Sequence, residues 1–148
     1  MRVALGSDHA GLGLKTTIKA LLDSLEIPCE DFGTMSAGSV DYPDFAEAVS
    51  EAVITGRADR GILVCGTGIG MAIAANKVPG IRAAVVWDET SARLSRAHND
   101  ANVMAVGGRT TPPDRVEAIV RAFLFTGYEA GRHDARLGKI ARLERKDT

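Results

Sequence analysis

Residues 61–65 read Gly-Ile-Leu-Val-Cys and run directly into Gly66-Thr67-Gly68-Ile69-Gly70. No other stretch restricts the fold as much. An apolar run without polar alternation suits a strand covered on both faces, the condition of a parallel sheet with crossover helices above and below it. Alternate glycines at its end suit a tight turn into a helix. A cysteine at that boundary sits where such sheets bind ligands, beyond the carboxyl ends of the strands.

The rest of the chain repeats the rhythm. Val3-Ala4-Leu5 reads as a first strand ended by Gly6, followed by Leu14, Ile18, Leu21, Leu22 and Leu25 at helical spacing. A short strand over residues 29–32 closes at Gly33, and residues 34–41 read as a loop rich in Ser and Gly. Pro43 suits the first turn of a second helix, whose Phe45, Val49 and Val53 share a face before Gly56 stops it. The glycine turn leads to a small-residue helix (71–76), a fourth strand (81–87), a helix (90–97) and a fifth strand (103–106). Thr111 is expected to cap a further helix with Pro112 in its first turn and Asp114 near its positive end. Val116, Ile119, Val120, Phe123 and Leu124 form the core face of that helix, which Gly127 ends. A basic helix over residues 132–146 carries Leu137, Ile140 and Leu143 on one stripe. Strand–helix alternation of this kind predicts a parallel sheet sandwiched by helices, in a single domain over residues 1–148.

Composition removes several functions. A formal net charge of −1 leaves no global positive field, so no nucleic-acid partner is expected. No apolar run has transmembrane length, and the segment after Met1 enters a strand pattern and not that of a signal peptide, so no membrane partner is expected. Cys29 and Cys65 are too few and too far apart for a zinc framework or a redox pair, and free thiols suit a reducing cytoplasm, the expected location.

The strand ends nominate the segments 7–11, 65–70, 88 onward and 107–109 for chemistry. Glycines after Cys65 let backbone N–H groups converge on a negative oxygen, and a thiol in such a setting serves as base or nucleophile; a packed structural cysteine beside a tight turn is the other reading. A cysteine-phosphatase loop needs an arginine where Met71 stands, and a nucleotide P-loop needs a Gly-Lys-Ser/Thr triplet that does not follow. A dinucleotide fingerprint needs two residues before its third glycine, whereas Ile69 alone separates Gly68 from Gly70; Asp88, placed where a ribose-binding acid would be sought, keeps that alternative open. Asp8 and His9 offer contacts for sugar hydroxyls and a phosphate, or a turn cap. His98, at a helix end, offers an imidazole for proton transfer near neutrality, or only a favourable partner for the helix terminus. Arg132 and Arg136 share a helical face, as a solvated basic surface or as a phosphate clamp. The three histidines, His9, His98 and His133, form no convincing metal-ligand spacing with one another or with a carboxylate, and no metal is expected.

Read together, six segments closely resemble the ribose-5-phosphate isomerase B family, related to the galactose-6-phosphate isomerase subunits. They are Gly6-Ser7-Asp8-His9-Ala10-Gly11, Asp41-Tyr42-Pro43, the Cys65–Gly70 loop followed by Ala74-Ala75-Asn76-Lys77, Ser95-Arg96-Ala97-His98-Asn99-Asp100, Gly107-Gly108-Arg109, and Gly131-Arg132-His133 with Arg136. They occur in family order across essentially the whole chain. The resemblance implies a Rossmann-like, three-layer α/β/α sandwich with a five-stranded parallel sheet. It implies an aldose–ketose isomerase that interconverts ribose 5-phosphate and ribulose 5-phosphate through an enediolate, with no cofactor and no metal. Cys65 matches the base acting between C1 and C2, and the backbone of Gly66, Thr67, Gly68, Ile69 and Gly70 matches the cradle for the enediolate oxygens, Thr67 lying close to the reacting end. His98 matches the residue that assists ring opening. Asp8 and Asn99 match hydroxyl-binding positions, Tyr42 lines the same pocket, and His9, Arg109, Arg132 and Arg136 match the phosphate end. Members that replace the cysteine with serine use a glutamate at the end of the glycine loop; Cys65 with Met71 sets this chain on the cysteine side. A homodimer is implied, in some members paired into a tetramer, with shared active sites and the C-terminal helix packing on the partner subunit. Activity on hexose 6-phosphates or tetrose phosphates, or a non-catalytic phosphosugar-binding module, are the alternatives, and Trp87 with Asp88 is the candidate for narrowing the pocket, a Trp at a strand end being as often part of the core.

Overall fold

The computed structural model describes residues 1–145, so Lys146, the end of the expected basic helix, lies outside the described residues. The elements run β1 (Val3–Ser7), α1 (Leu12–Ser24), β2 (Cys29–Asp31), α2 (Tyr42–Ile54), β3 (Arg60–Cys65), α3 (Ile69–Ala75), β4 (Ala83–Val85), α4 (Glu89–Ala97), β5 (Val103–Gly107), α5 (Val116–Phe125) and α6 (Arg132–Glu144). The strands form one parallel sheet in the order β2-β1-β3-β5-β4. Successive strand residues point to opposite faces, and the sheet therefore feeds two cores. Val3, Leu5, Ile62, Val64, Met104 and Val106 meet Ile18 and Leu22 of α1, Ala92 of α4 and Ile119 and Phe123 of α5. Ala4, Leu63, Cys65, Val103 and Ala105 meet Ala46 and Val49 of α2 and Met71 and Ala75 of α3. This is the expected three-layer α/β/α sandwich.

Several boundaries differ from the sequence reading. β1 does not stop at Gly6 but continues to Ser7; a Cβ at Gly6 would lie 2.9 Å from Val49 Cγ2, so this glycine makes room for α2 and ends nothing. α3 starts at Ile69, two residues before Met71, because Gly68 turns the chain at φ 80° three residues after the end of β3. β4 is shorter than 81–87, since Ile81 N–H closes a turn onto the Val78 carbonyl at 3.1 Å. Thr111 caps no helix. Pro113 excludes Pro112 from helical ψ, leaving Pro112 at φ −60°, ψ 133°, so a 3-10 turn over Pro113–Arg115 precedes α5. The core face of α5 is nevertheless buried as expected.

Two features lie outside the periodicity argument. Lys15 is 2% exposed and donates to Asp31 Oδ1 at 2.8 Å, Asp31 Oδ2 at 3.0 Å and the Thr34 carbonyl at 2.6 Å, tying α1 to the start of the loop before α2. α6 buries only His133, and leaves Ile140 and Leu143 of its apolar stripe exposed. No helix among the described residues is long and apolar enough to cross a membrane.

Candidate active site

The strand order reverses direction between β1 and β3, and in open α/β sheets the crevice beyond the carboxyl ends at such a point is the ligand site. Asp8 and Cys65 flank it. Asp8 N–H donates to the Val64 carbonyl at 3.2 Å, and its carboxylate Oδ1 accepts from Gly11 N–H at 3.0 Å. Cys65 ends β3 opposite Gly107 and is 5% exposed. Its Sγ accepts a hydrogen bond from the Gly68 N–H at 3.1 Å. Gly68 can make it because the left-handed conformation carries no Cβ penalty there, while a Cβ would lie 3.0 Å from the Val106 carbonyl carbon.

Neighbouring loops lock onto this turn. Gly108 N–H donates to the Cys65 carbonyl at 2.7 Å and Arg109 N–H to the Gly66 carbonyl at 3.0 Å. The Arg109 side chain lies over Gly66, where a Cβ would come within 3.2 Å of its Nη1. Thr67 Oγ1 accepts from Ile69 N–H at 3.3 Å, and the exposed Ile69 side chain points away from both cores. The Tyr42 ring, at the start of α2, rests on Gly70, where a Cβ would lie 2.7 Å from Cζ. His9 Nδ1 accepts from Val40 N–H at 3.2 Å, which assigns the proton of the neutral ring to Nε2 and aims a donor outward. Asp8, His9, Tyr42, the Cys65–Gly70 turn and Arg109 thus form one contiguous cluster.

The remaining four residues are elsewhere. His98 is the C-terminal cap of α4, which returns the chain to the amino edge of the sheet. There Arg82 Nε donates to the Asn99 carbonyl at 3.0 Å, and Asn102 leads into Val103 of β5. Arg132 and Arg136 lie on the adjoining α6, both exposed, with Arg136 Nη1 donating to the Arg132 carbonyl at 2.9 Å. β5 spans about 13 Å between the two edges at the usual rise per strand residue. His98, Asn99, Arg132 and Arg136 therefore do not join Cys65 within one chain.

At that second edge His98 meets two residues to which the sequence reading gave no role, His133 and Glu129. The His98 and His133 rings stack with centroids 4.4 Å apart at 19°. Glu129 Oε2 lies 3.9 Å from His98 Nε2 and 3.8 Å from His133 Nε2. The four-residue spacing of Glu129 and His133 was readable in the sequence, but their meeting with His98 depends on tertiary packing. A single ion would have to lie in both ring planes, which near-parallel stacking keeps apart. Asp88 does not act as a ribose-binding acid in this fold: its Oδ1 accepts from Ser91 N–H at 2.6 Å as the cap of α4, and that bond holds its carboxyl below the ordinary value. Trp87 is exposed at the carboxyl edge and lines a shallow groove with Asp88, Thr90 and Leu94. Cys29, the other free thiol, is pushed up to about 11 by burial and by the nearby Asp31 carboxylate.

The chain is similar to known proteins over nearly its full length. Ribose-5-phosphate isomerase B of Escherichia coli is 46% identical over 145 residues, 98% of this chain and 97% of that protein. The solved structure of the Clostridium thermocellum ribose-5-phosphate isomerase B superposes with a TM-score of 0.98 at 49% identity, covering 100% of both chains. The structure of the Mycoplasma genitalium ribose-5-phosphate isomerase B with bound ribulose-5-phosphate gives a TM-score of 0.93 at 40% identity, covering 98% of this chain and 97% of that one. The family described as Ribose/Galactose Isomerase matches residues 3–140. With a five-stranded α/β/α sandwich and a cysteine–glycine turn at the switch point, the chain belongs to the ribose/galactose isomerase family.

Proposed function

We propose that this chain interconverts ribose 5-phosphate and ribulose 5-phosphate in an active site built by two copies. The observation that carries the reading is the Gly68 N–H donated to Cys65 Sγ at 3.1 Å, beside Asp8 at the switch point. As thiolate, Cys65 removes the C2 proton of the open-chain aldose. The electron pair moves into the C1–C2 bond and the carbonyl oxygen becomes an oxyanion. The thiol then returns a proton to C1, and the hydroxyl proton passes from O2 to O1, giving the ketose. Thr67 and the backbone of Gly66, Gly68, Ile69 and Gly70 face the enediolate oxygens; removing one such donor typically costs about 3–4 kcal/mol of barrier. Asp8 and Tyr42 hold sugar hydroxyls, and His9 and Arg109 take the phosphate, whose binding keeps the sugar in the reactive geometry.

Ring opening needs an acid–base group within hydrogen-bond reach of the sugar, which His98 of the same chain is not. In this reading His98 and Asn99, with Arg132 and Arg136 for the phosphate, come from the second copy. Exposed apolar side chains flank both edges, Ile69 and Ile73 beside the cysteine turn and Ile140 and Leu143 on α6, and a homodimer covering them buries what a lone chain leaves in water. Residues 1–148 then act as one domain whose C-terminal helix packs on the partner. The reading extends to a metal-independent, cytoplasmic enzyme of the pentose phosphate pathway.

The test is proton exchange. Cys65→Ala is expected to abolish exchange of the substrate C2 proton with D2O while sugar phosphate still binds; exchange at the unmodified rate would remove Cys65 from its role. The substrate assignment is checked by kcat/KM across ribose, allose, galactose and erythrose phosphates, and a preference for any but ribose 5-phosphate would overturn it.

A further inference from the structure

We propose that His133 is a positioning residue for His98: its buried ring is the platform that fixes the plane of the His98 imidazole. The inference rests on the reading of His98 as the ring-opening group. His98 stands at the end of α4, where its backbone N–H bonds the Leu94 carbonyl at 2.9 Å but its side chain is 34% exposed. His133 stacks on its ring, with centroids 4.4 Å apart.

His133 is suited to that task because it is itself held fast. It is 8% exposed, and its N–H donates to the Ala130 carbonyl at 3.2 Å at the start of α6. Tyr128 Oη donates to Asp134 Oδ1 at 2.6 Å, bracing the same turn. Glu129 N–H donates to the Ala97 carbonyl at 3.0 Å, which fastens the segment to the residue before His98. Platform and supported ring are thus anchored to the same end of α4.

Among the described residues, Nε2 of His133 has no hydrogen-bonding task. Its Nε2 is buried without a hydrogen-bond partner, and Glu129 Oε2 at 3.8 Å is beyond direct bonding distance. Burial first, then the charges of His98, Arg132 and Arg136, push its proton affinity below the ordinary value, and Glu129 opposes them. A neutral aromatic face tolerates a charge developing on the ring stacked against it, whereas a cation there would repel one. The ring face of His133, and not its titratable nitrogen, carries the function.

The experiment compares His133→Phe, which keeps an aromatic face, with His133→Leu, which keeps bulk without one. Two rates are read: conversion of ribose 5-phosphate, which is largely a closed ring, and deuterium uptake from D2O at C1 of ribulose 5-phosphate, which is an open chain and needs no ring opening. H133F is expected to stay within about 3-fold of the unmodified chain on both. H133L is expected to lose about 10-fold or more in kcat for conversion, with KM little changed and deuterium uptake retained. Equal loss of both rates in H133L, or an H133F variant as impaired as H133L, would overturn the positioning role. Absence of both rates in the unmodified chain would instead overturn the isomerase reading and this inference with it.

Discussion

Cys65 and His98 stand at opposite ends of one sheet. Cys65 closes β3 opposite Gly107, the last residue of β5, whereas His98 lies just ahead of Val103, the first. The two residues that the proposed reading assigns to proton transfer thus face outward from opposite edges. Under the proposed reading, with these parts a strand length apart, a second copy supplies the missing half.

Tyr42 depends on the smallest side chain in the glycine turn. A methyl group at Gly70 would come within 2.7 Å of the Tyr42 ring. Gly70→Ala is expected to displace that ring and lower kcat/KM about tenfold, mostly through KM, with little loss of stability. Steady-state kinetics together with a thermal melt checks it; unchanged kinetics would show that Tyr42 does not line the pocket.

Lys15 is expected to matter for stability more than for chemistry. Lys15→Met leaves the Asp31 carboxylate, 8% exposed, without its main partner. Breaking a buried ion pair from one side costs about 3–5 kcal/mol. Urea unfolding should show a loss of that size, and a loss much smaller would mean that Lys19, 3.6 Å from Asp31, takes over the pairing.

Acid should weaken the fold through His133. Its imidazole lies below the ordinary 6.5 in the folded chain, so the unfolded chain binds the proton more readily. The sign follows: this contribution is intact above about 6.5 and is lost as pH falls through the window below it. Urea midpoints at pH 7.5 and 5.5 should therefore fall less on acidification in His133→Phe than in the unmodified chain; an equal fall would assign the acid sensitivity to other groups.

Much of this was legible in the sequence. The unbroken apolar run before Cys65 announced a parallel sheet, and alternating burial of Ile62 and Val64 against Leu63 and Cys65 bears that out. The cluster around Cys65 was equally legible, because each of its loops follows a strand, and ligands collect beyond strand ends. Two things were not. Lys15 sits on the buried face of α1, where periodicity expects an apolar residue, and only the fold reveals Asp31 beside it. The separation of His98 from Cys65 was also hidden. Motif order along the chain says nothing of which sheet edge a residue reaches, and α4 carries His98 back to the amino edge.

The most direct measurement of the shared site is complementation. Cys65→Ala and His98→Ala chains, each inactive alone, are unfolded together, refolded in equal amounts and assayed for ribose 5-phosphate isomerisation. Random pairing makes half the dimers mixed, each with one intact site of two, so recovery of about a quarter of the unmodified activity is expected. No recovery, with mixed dimers shown to form, would contradict the account, since a site complete within one chain is dead in both variants.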